Sequence, residues 1–161
     1  MTPAQDKAWD KWMEAEYSGL YWQYAAARLG KIVTAVNVIS ALTGASALTL
    51  LIADHPILTK VVALVASALT LFASYSGFQT EYEKAKIRAD LYLKLSARYE
   101  RLWNRINQGL DDESISAHLE VLLDQETLVP TAPDQRYDDR LRERVYKMLI
   151  DSKGLAGGTA A

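Results

Sequence analysis

IVTAVNVISALTGASALTLLIA, residues Ile32 to Ala53, and VVALVASALTLFASYSGFQT, residues Val61 to Thr80, decide how this chain folds. They contain 22 and 20 residues, and neither holds an Asp, Glu, Lys or Arg. A hydrocarbon core about 30 Å thick takes roughly 20 helical residues at about 1.5 Å each, so both stretches are long enough to span. Between them lies Asp54-His55-Pro56-Ile57-Leu58-Thr59-Lys60, where Pro56 suits the first turn of a new helix. The pattern predicts a transmembrane helical hairpin. The competing reading is a buried hairpin in a soluble bundle, favoured by the many Ala, Ser and Thr and by a mean hydropathy of only -0.08. A soluble bundle helix, however, carries charge on its outer face, and these stretches carry none on any face.

Working outward, Lys7, Lys11, Arg28 and Lys31 precede the pair, and Lys84, Lys86, Arg88, Lys94 and Arg98 follow it. The connecting segment holds only Lys60. An excess of Lys and Arg on one side marks the cytoplasmic face, so both termini are expected in the cytoplasm and His55 in the outer loop. No cleavable signal sequence is expected, because the first apolar run begins only at Ile32, after a charged and aromatic segment.

That preceding segment, residues 1–30, reads as an amphipathic helix from about Gln5 to Leu29. Trp9, Trp12, Met13, Leu20 and Tyr24 recur near helical spacing. Tyr17, Tyr21, Trp22 and Tyr24 thicken toward the first span, and aromatic rings of this kind favour the headgroup level. Two placements stay open: an interfacial helix, or one packed on the C-terminal extension. Gly30 and Lys31 mark entry into a hairpin unit of residues 31–80, with spans at 32–53 and 61–80.

Inside the spans the small residues cluster. Asn37, Ser40, Gly44 and Ala47 share one side of the first helix. Ala63, Ala66, Ser67, Thr70, Ala73, Ser74 and Gly77 share a face of the second, opposite Leu64, Leu71, Phe72 and Tyr75. Small faces let transmembrane backbones approach closely; the same face could instead line a narrow wet pore in an oligomer. Asn37 is the most polar side chain within either span and is expected to face protein or water.

Residues 81–153 read as a cytosolic helical extension. From Gln79 one helix is expected to run without a break from the second span to about Gln108, with Ala85, Ala89, Tyr92, Leu95, Tyr99, Leu102 and Ile106 stepping by three or four. Leu95, Tyr99, Leu102 and Ile106 are the positions expected to pack against the last helix or a neighbouring subunit. Gly109 ends that helix, and Asp111, Asp112 and Glu113 open another with Ile115, Leu119, Leu122 and Leu123 as its apolar side. Val129-Pro130-Thr131-Ala132-Pro133 reads as a linker. A last helix, about Asp134 to Ser152, turns Tyr137, Leu141, Val145, Met148 and Leu149 inward and stops at Gly154. Residues 154–161 read as a disordered tail. The fold class is therefore all-α, a membrane protein with a two-helix hairpin, an N-terminal amphipathic helix and a helical extension.

Little in the 161 residues points to catalysis. There is no cysteine, which excludes disulfides, thiol nucleophiles and thiolate metal sites, and a net charge of -2 gives no global pull on nucleic acid. His55 and His118 lie in different elements, and no zinc spacing, phosphate-cradling glycine loop or nucleophile elbow occurs. No enzymatic activity, cofactor or metal is expected. Two basic stripes stand out: Arg98, Arg101 and Arg105 on the long helix, and Arg136, Arg140, Arg144 and Lys147 on the last. Such forks can hold phosphates. A solvated face with helical ion pairs, such as Asp138 with Arg142, is the competing reading, and direct nucleic-acid binding is not expected.

The aromatic entry (Tyr17, Tyr21, Tyr24), the two close spans and the exit QTEYEKAKIRADLYLKLSARYERL resemble the SLATT two-transmembrane effectors of bacterial antiphage defence. The resemblance covers nearly the whole chain and is one of architecture, without a catalytic motif. It implies a homo-oligomer in the lipid of the bacterial inner membrane that forms a pore when triggered by a separate module. In that family the module is a nucleotide-second-messenger synthetase, another sensor protein or a retron reverse transcriptase complex. The alternative class is a non-conducting scaffold whose hairpin anchors a partner-binding helical bundle.

Overall fold

A computed structural model describes residues 1–52, 56–75, 77–129 and 139–154. Every regular element among the described residues is a helix: α1 (Pro3–Ile52), α2 (Pro56–Tyr75), α3 (Phe78–Asn107), α4 (Asp112–Thr127) and α5 (Asp139–Ser152). They form two compact units, Met1–Ala25 with Ala85–Ala161, and Ala26–Lys84.

The first unit is a helical bundle with a continuous core. Thr2-Pro3-Ala4-Gln5 starts α1 as a capping box: the Gln5 N–H donates to Thr2 Oγ1 at 3.4 Å, and the Thr2 N–H donates to Gln5 Oε1 at 3.1 Å. Pro3 takes the first helical position, where its missing N–H costs nothing. Ala8, Trp12 and Ala15 then enter the core beside Leu95, Tyr99, Leu102 and Ile106 of α3 and Ile115, Leu119 and Leu122 of α4. The Trp9 and Trp103 rings meet with centroids 5.0 Å apart. Tyr21 and Trp22 are buried as well. Of the two placements open to the N-terminal aromatic segment, the structure shows the packed one for these residues.

Gly19 allows α1 to come close to α3, since a Cβ there would stand 3.2 Å from the Leu93 backbone nitrogen. The turn after α3 is a Schellman motif, as Gly109 implies. Gly109 adopts φ +95°, its N–H donates to Ile106 O, and the Leu110 N–H donates to Arg105 O. Asp111 then caps α4 by accepting from the Ser114 N–H at 2.9 Å. α5 begins at Asp139 among the described residues and buries Val145 and Leu149. Met148, expected inward, is exposed, because the inward stripe steps by four from Val145 to Leu149.

In the second unit, two expectations about helix boundaries need correction. α1 does not end near Leu29; it continues as one helix through Gly30 and Lys31, with Gly30 packed against the Tyr82 ring. The uninterrupted helix expected between the second span and the extension is broken instead. α2 ends at Tyr75, Gly77 takes φ +66°, and α3 starts at Phe78, so residues 78–80 do not belong to the span. A left-handed residue cannot continue a right-handed helix, and Gly adopts that conformation without the Cβ penalty. Gly77 O accepts from the Glu81 N–H at 2.9 Å and so opens α3. Pro56 opens α2 as expected. Expectations for His55, the 130–133 part of the linker, residues 134–138 and the 155–161 tail lie outside the described residues.

Candidate functional site

Two places gather the residues singled out by sequence: the apolar unit of α1 and α2, and the arginine face of α3.

In the apolar unit the side chains point outward. Among its described residues only Ala26 is buried, whereas Leu42 is 63%, Leu64 72% and Ile57 79% exposed. The half-buried positions form one stripe on each helix: Ile32, Val33, Val36, Ser40 and Thr43 on α1, and Thr59, Val62, Ala66 and Leu69 on α2. These steps of three and four define the side each helix turns inward. Ser40 therefore lies on the inner stripe of α1, while Asn37 is exposed. On α2, the expected small-residue face is mostly outward, with Ser67 and Thr70 both exposed. Gly44 lies within α1 and Ser74 within α2; the surroundings of both lie outside the described residues.

The hydroxyls on these faces bond back to their own helices. Ser67 Oγ donates to Ala63 O at 2.9 Å and Thr70 Oγ1 to Ala66 O at 2.9 Å. Thr43, Ser46 and Thr49 do the same on α1 at 2.7 to 3.0 Å. A hydroxyl whose proton is used one turn earlier can face hydrocarbon without leaving a donor unsatisfied. By length and composition, α1 is long enough and apolar enough to cross a membrane, over Pro3–Thr43. The apolar stretch of α2, Pro56–Phe72, is shorter.

On α3, Arg98, Arg101 and Arg105 fall on one stripe and border a groove of about 360 Å³ against α4. Leu102 and Leu122 form its buried floor, and Val121 and His118 stand on the far wall. Arg98 donates to Gln125 Oε1. His118 Nδ1 lies 2.7 Å from Ser114 O, which can only accept, so Nδ1 carries the proton. Nε2 is then the acceptor for Arg105 Nη1 at 3.3 Å. None of the three arginines has a carboxylate within ion-pair distance among the described residues. Arg140 and Arg144, on α5, do not line this groove, and Arg136 lies outside the described residues.

Four long-range polar contacts of the first unit were not legible as pairs in the sequence. Arg88 is 7% exposed, with its guanidinium 4.7 Å from the Trp22 ring centroid. Its place on the Ala85–Ala89 side of α3 was the available signal. Lys153 Nζ lies 2.8 Å from Glu16 Oε2. Lys11 bridges Glu14 at 2.7 Å and Glu126 at 3.2 Å; burial alone would lower its pKa, but these two carboxylates outweigh that and hold it above the usual lysine value. Tyr99 is pushed well above the ordinary phenol range by burial and by Glu126, toward which its hydroxyl points at 3.5 Å.

Comparison with protein-family models, with curated proteins and with solved structures gives no match.

Proposed function

We propose that the chain is an oligomeric effector of the bacterial inner membrane, with α1 and α2 inserted as a hairpin and both termini cytoplasmic. On a signal from a separate sensor module in antiphage defence, it permeabilises the membrane. The observation that carries the membrane part is the outward-facing apolar surface of the second unit, where Leu42, Ile57 and Leu64 stand exposed and only Ala26 is buried among the described residues. Exposed apolar patches of this extent mark a membrane or an assembly surface. Asn37 adds the reason for an oligomer: an amide at that depth is stable only against protein or water, and within one chain it faces outward. The trigger and the defence role rest on the resemblance of layout alone. Reporter fusions at Gln5 and Gly157 would report cytoplasmic ends, and dye entry on triggered expression would report permeabilisation. Recovery of the chain as a detergent-free soluble monomer would overturn the reading.

A second reading is favoured by the back-bonded hydroxyls. Ser67 and Thr70 direct their protons into α2 itself. Such a face also suits a non-conducting anchor, whose first unit would bind a partner. An assembled oligomer that never admits dye under its trigger would select this one.

A further inference from the structure

The groove between α3 and α4 concentrates positive charge over an apolar floor. Lys11, Lys94, Arg142 and Lys153 of the same unit each have a carboxylate partner. Arg98, Arg101 and Arg105 have none among the described residues, although their spacing makes them helical neighbours. Like charges at such spacing destabilise a helix unless an anion lies between them. Arg105 lies seven positions beyond Arg98, about 10 Å along the axis. The His118 ring stands on the opposite wall with its bonds to Ser114 and Arg105, and among the described residues no carboxylate lines the groove.

We propose that this groove binds a small organic phosphate with a planar or apolar body. The phosphate oxygens take the guanidinium forks of Arg101 and its neighbours, which match that geometry bidentately. The body lies over Leu122 and Val121, the latter 57% exposed on the groove wall, and stacks on a guanidinium plane. At about 360 Å³ the groove is near the small end of ligand pockets, with room for one ring system and a phosphate and not for two acyl chains. This site does not depend on the membrane reading, since all its residues belong to the first unit.

The test uses the full chain in detergent and 1-naphthyl phosphate, followed by its fluorescence. Saturable binding with a Kd at or below about 1 mM is expected, with inorganic phosphate weaker and naphthol not binding. Arg101→Gln should weaken binding about tenfold or more, the loss of one charge-assisted fork, while Arg144→Gln on α5 leaves it unchanged. Val121→Glu, at an exposed position that leaves the core intact, should abolish it by placing a carboxylate in the groove. Thermal melts by circular dichroism check that each variant is folded. Absence of saturable binding, or equal binding by wild type, Arg101→Gln and Val121→Glu, overturns the proposal. So does a chain that ignores naphthyl phosphate and instead binds phosphatidic acid in the same micelles, which would assign the groove to a lipid headgroup.

Discussion

The Lys153 ammonium lies 4.0 Å from the centroid of the Trp12 ring. The same nitrogen reaches Glu16, so one side chain joins the end of α5 to the N-terminal part of α1 through both a cation–π contact and an ion pair. Lys153 continues the stripe of Val145 and Leu149 at steps of four, and Gly154 at φ +67° ends the helical path just beyond it. Two buried apolar residues and one lysine thus help to fasten α5. Lys153→Met keeps much of the stem and removes the charge, and it should cost about 1–2 kcal/mol. Hydrogen exchange should quicken in α5 before it quickens in α3. Equal protection of α5 in both proteins would show that the Lys153 contacts do not hold it.

Acid should weaken the start of α4. The Ser114 backbone N–H bonded to Asp111 holds that carboxyl below the usual aspartate range. Because the folded value is depressed, the stabilisation is present above the ordinary value of about 3.9 and is lost as pH falls through the folded one. Asp111→Ala should lower the urea midpoint at pH 6, and the deficit should narrow toward pH 3. A deficit that is constant across that range would mean the cap does not depend on its charge.

Glycine substitutions should separate the two boundaries of the second unit. Gly77 has open space around a Cβ position but a left-handed backbone, so Gly77→Ala should cost about 1–2 kcal/mol. Gly30 lies inside α1 and would meet only the edge of the Tyr82 ring at 3.1 Å, so Gly30→Ala should be neutral or raise the melting temperature. A Gly77→Ala protein as stable as wild type would mean that α2 and α3 can join into one helix.

The same two glycines show where sequence reading runs out. A single Gly in a helical pattern is compatible with continuation or with a break, and only the backbone around it decides. Gly30 sits in an unbroken α1, whereas Gly77 turns the chain. Periodicity carried the inner faces well: Leu95, Tyr99, Leu102 and Ile106 are all buried, as are Ile115, Leu119 and Leu122. Local chemistry carried Asp111 and Gly109. What it could not carry was pairing between helices. Arg98 beside Gln125, Arg105 beside His118 and Lys153 beside Glu16 depend on how helices meet, and their sequence separations leave no periodic trace. The small-residue face of α2 turns mostly outward within one chain, and size alone does not say whether such a face meets the first span, a second copy or water.

Asn37 and Thr70 should answer differently when their polar atoms are removed. Both are exposed within one chain, but the Thr70 proton is already used by Ala66 O, while Asn37 carries a full amide at span depth. In an inserted hairpin that amide would need a partner, and on the proposed oligomer a second copy of the same helix would supply one. Asn37→Leu should therefore shift the detergent-solubilised protein toward smaller species, weakening association by about 0.6–2 kcal/mol for each interhelical hydrogen bond removed. Thr70→Val keeps the volume and removes only a back-bonded hydroxyl, so oligomer size should hold. If the assembly conducts along that face, losing the hydroxyl's lone pairs should still lower conductance or alter ion preference, because they can replace water around a cation. Chromatography with light scattering reads the first effect, and single-channel recording the second. An Asn37→Leu protein of unchanged size would remove the amide from the interface. A Thr70→Val protein with unchanged size and unchanged conductance would exclude that face of α2 as the lining.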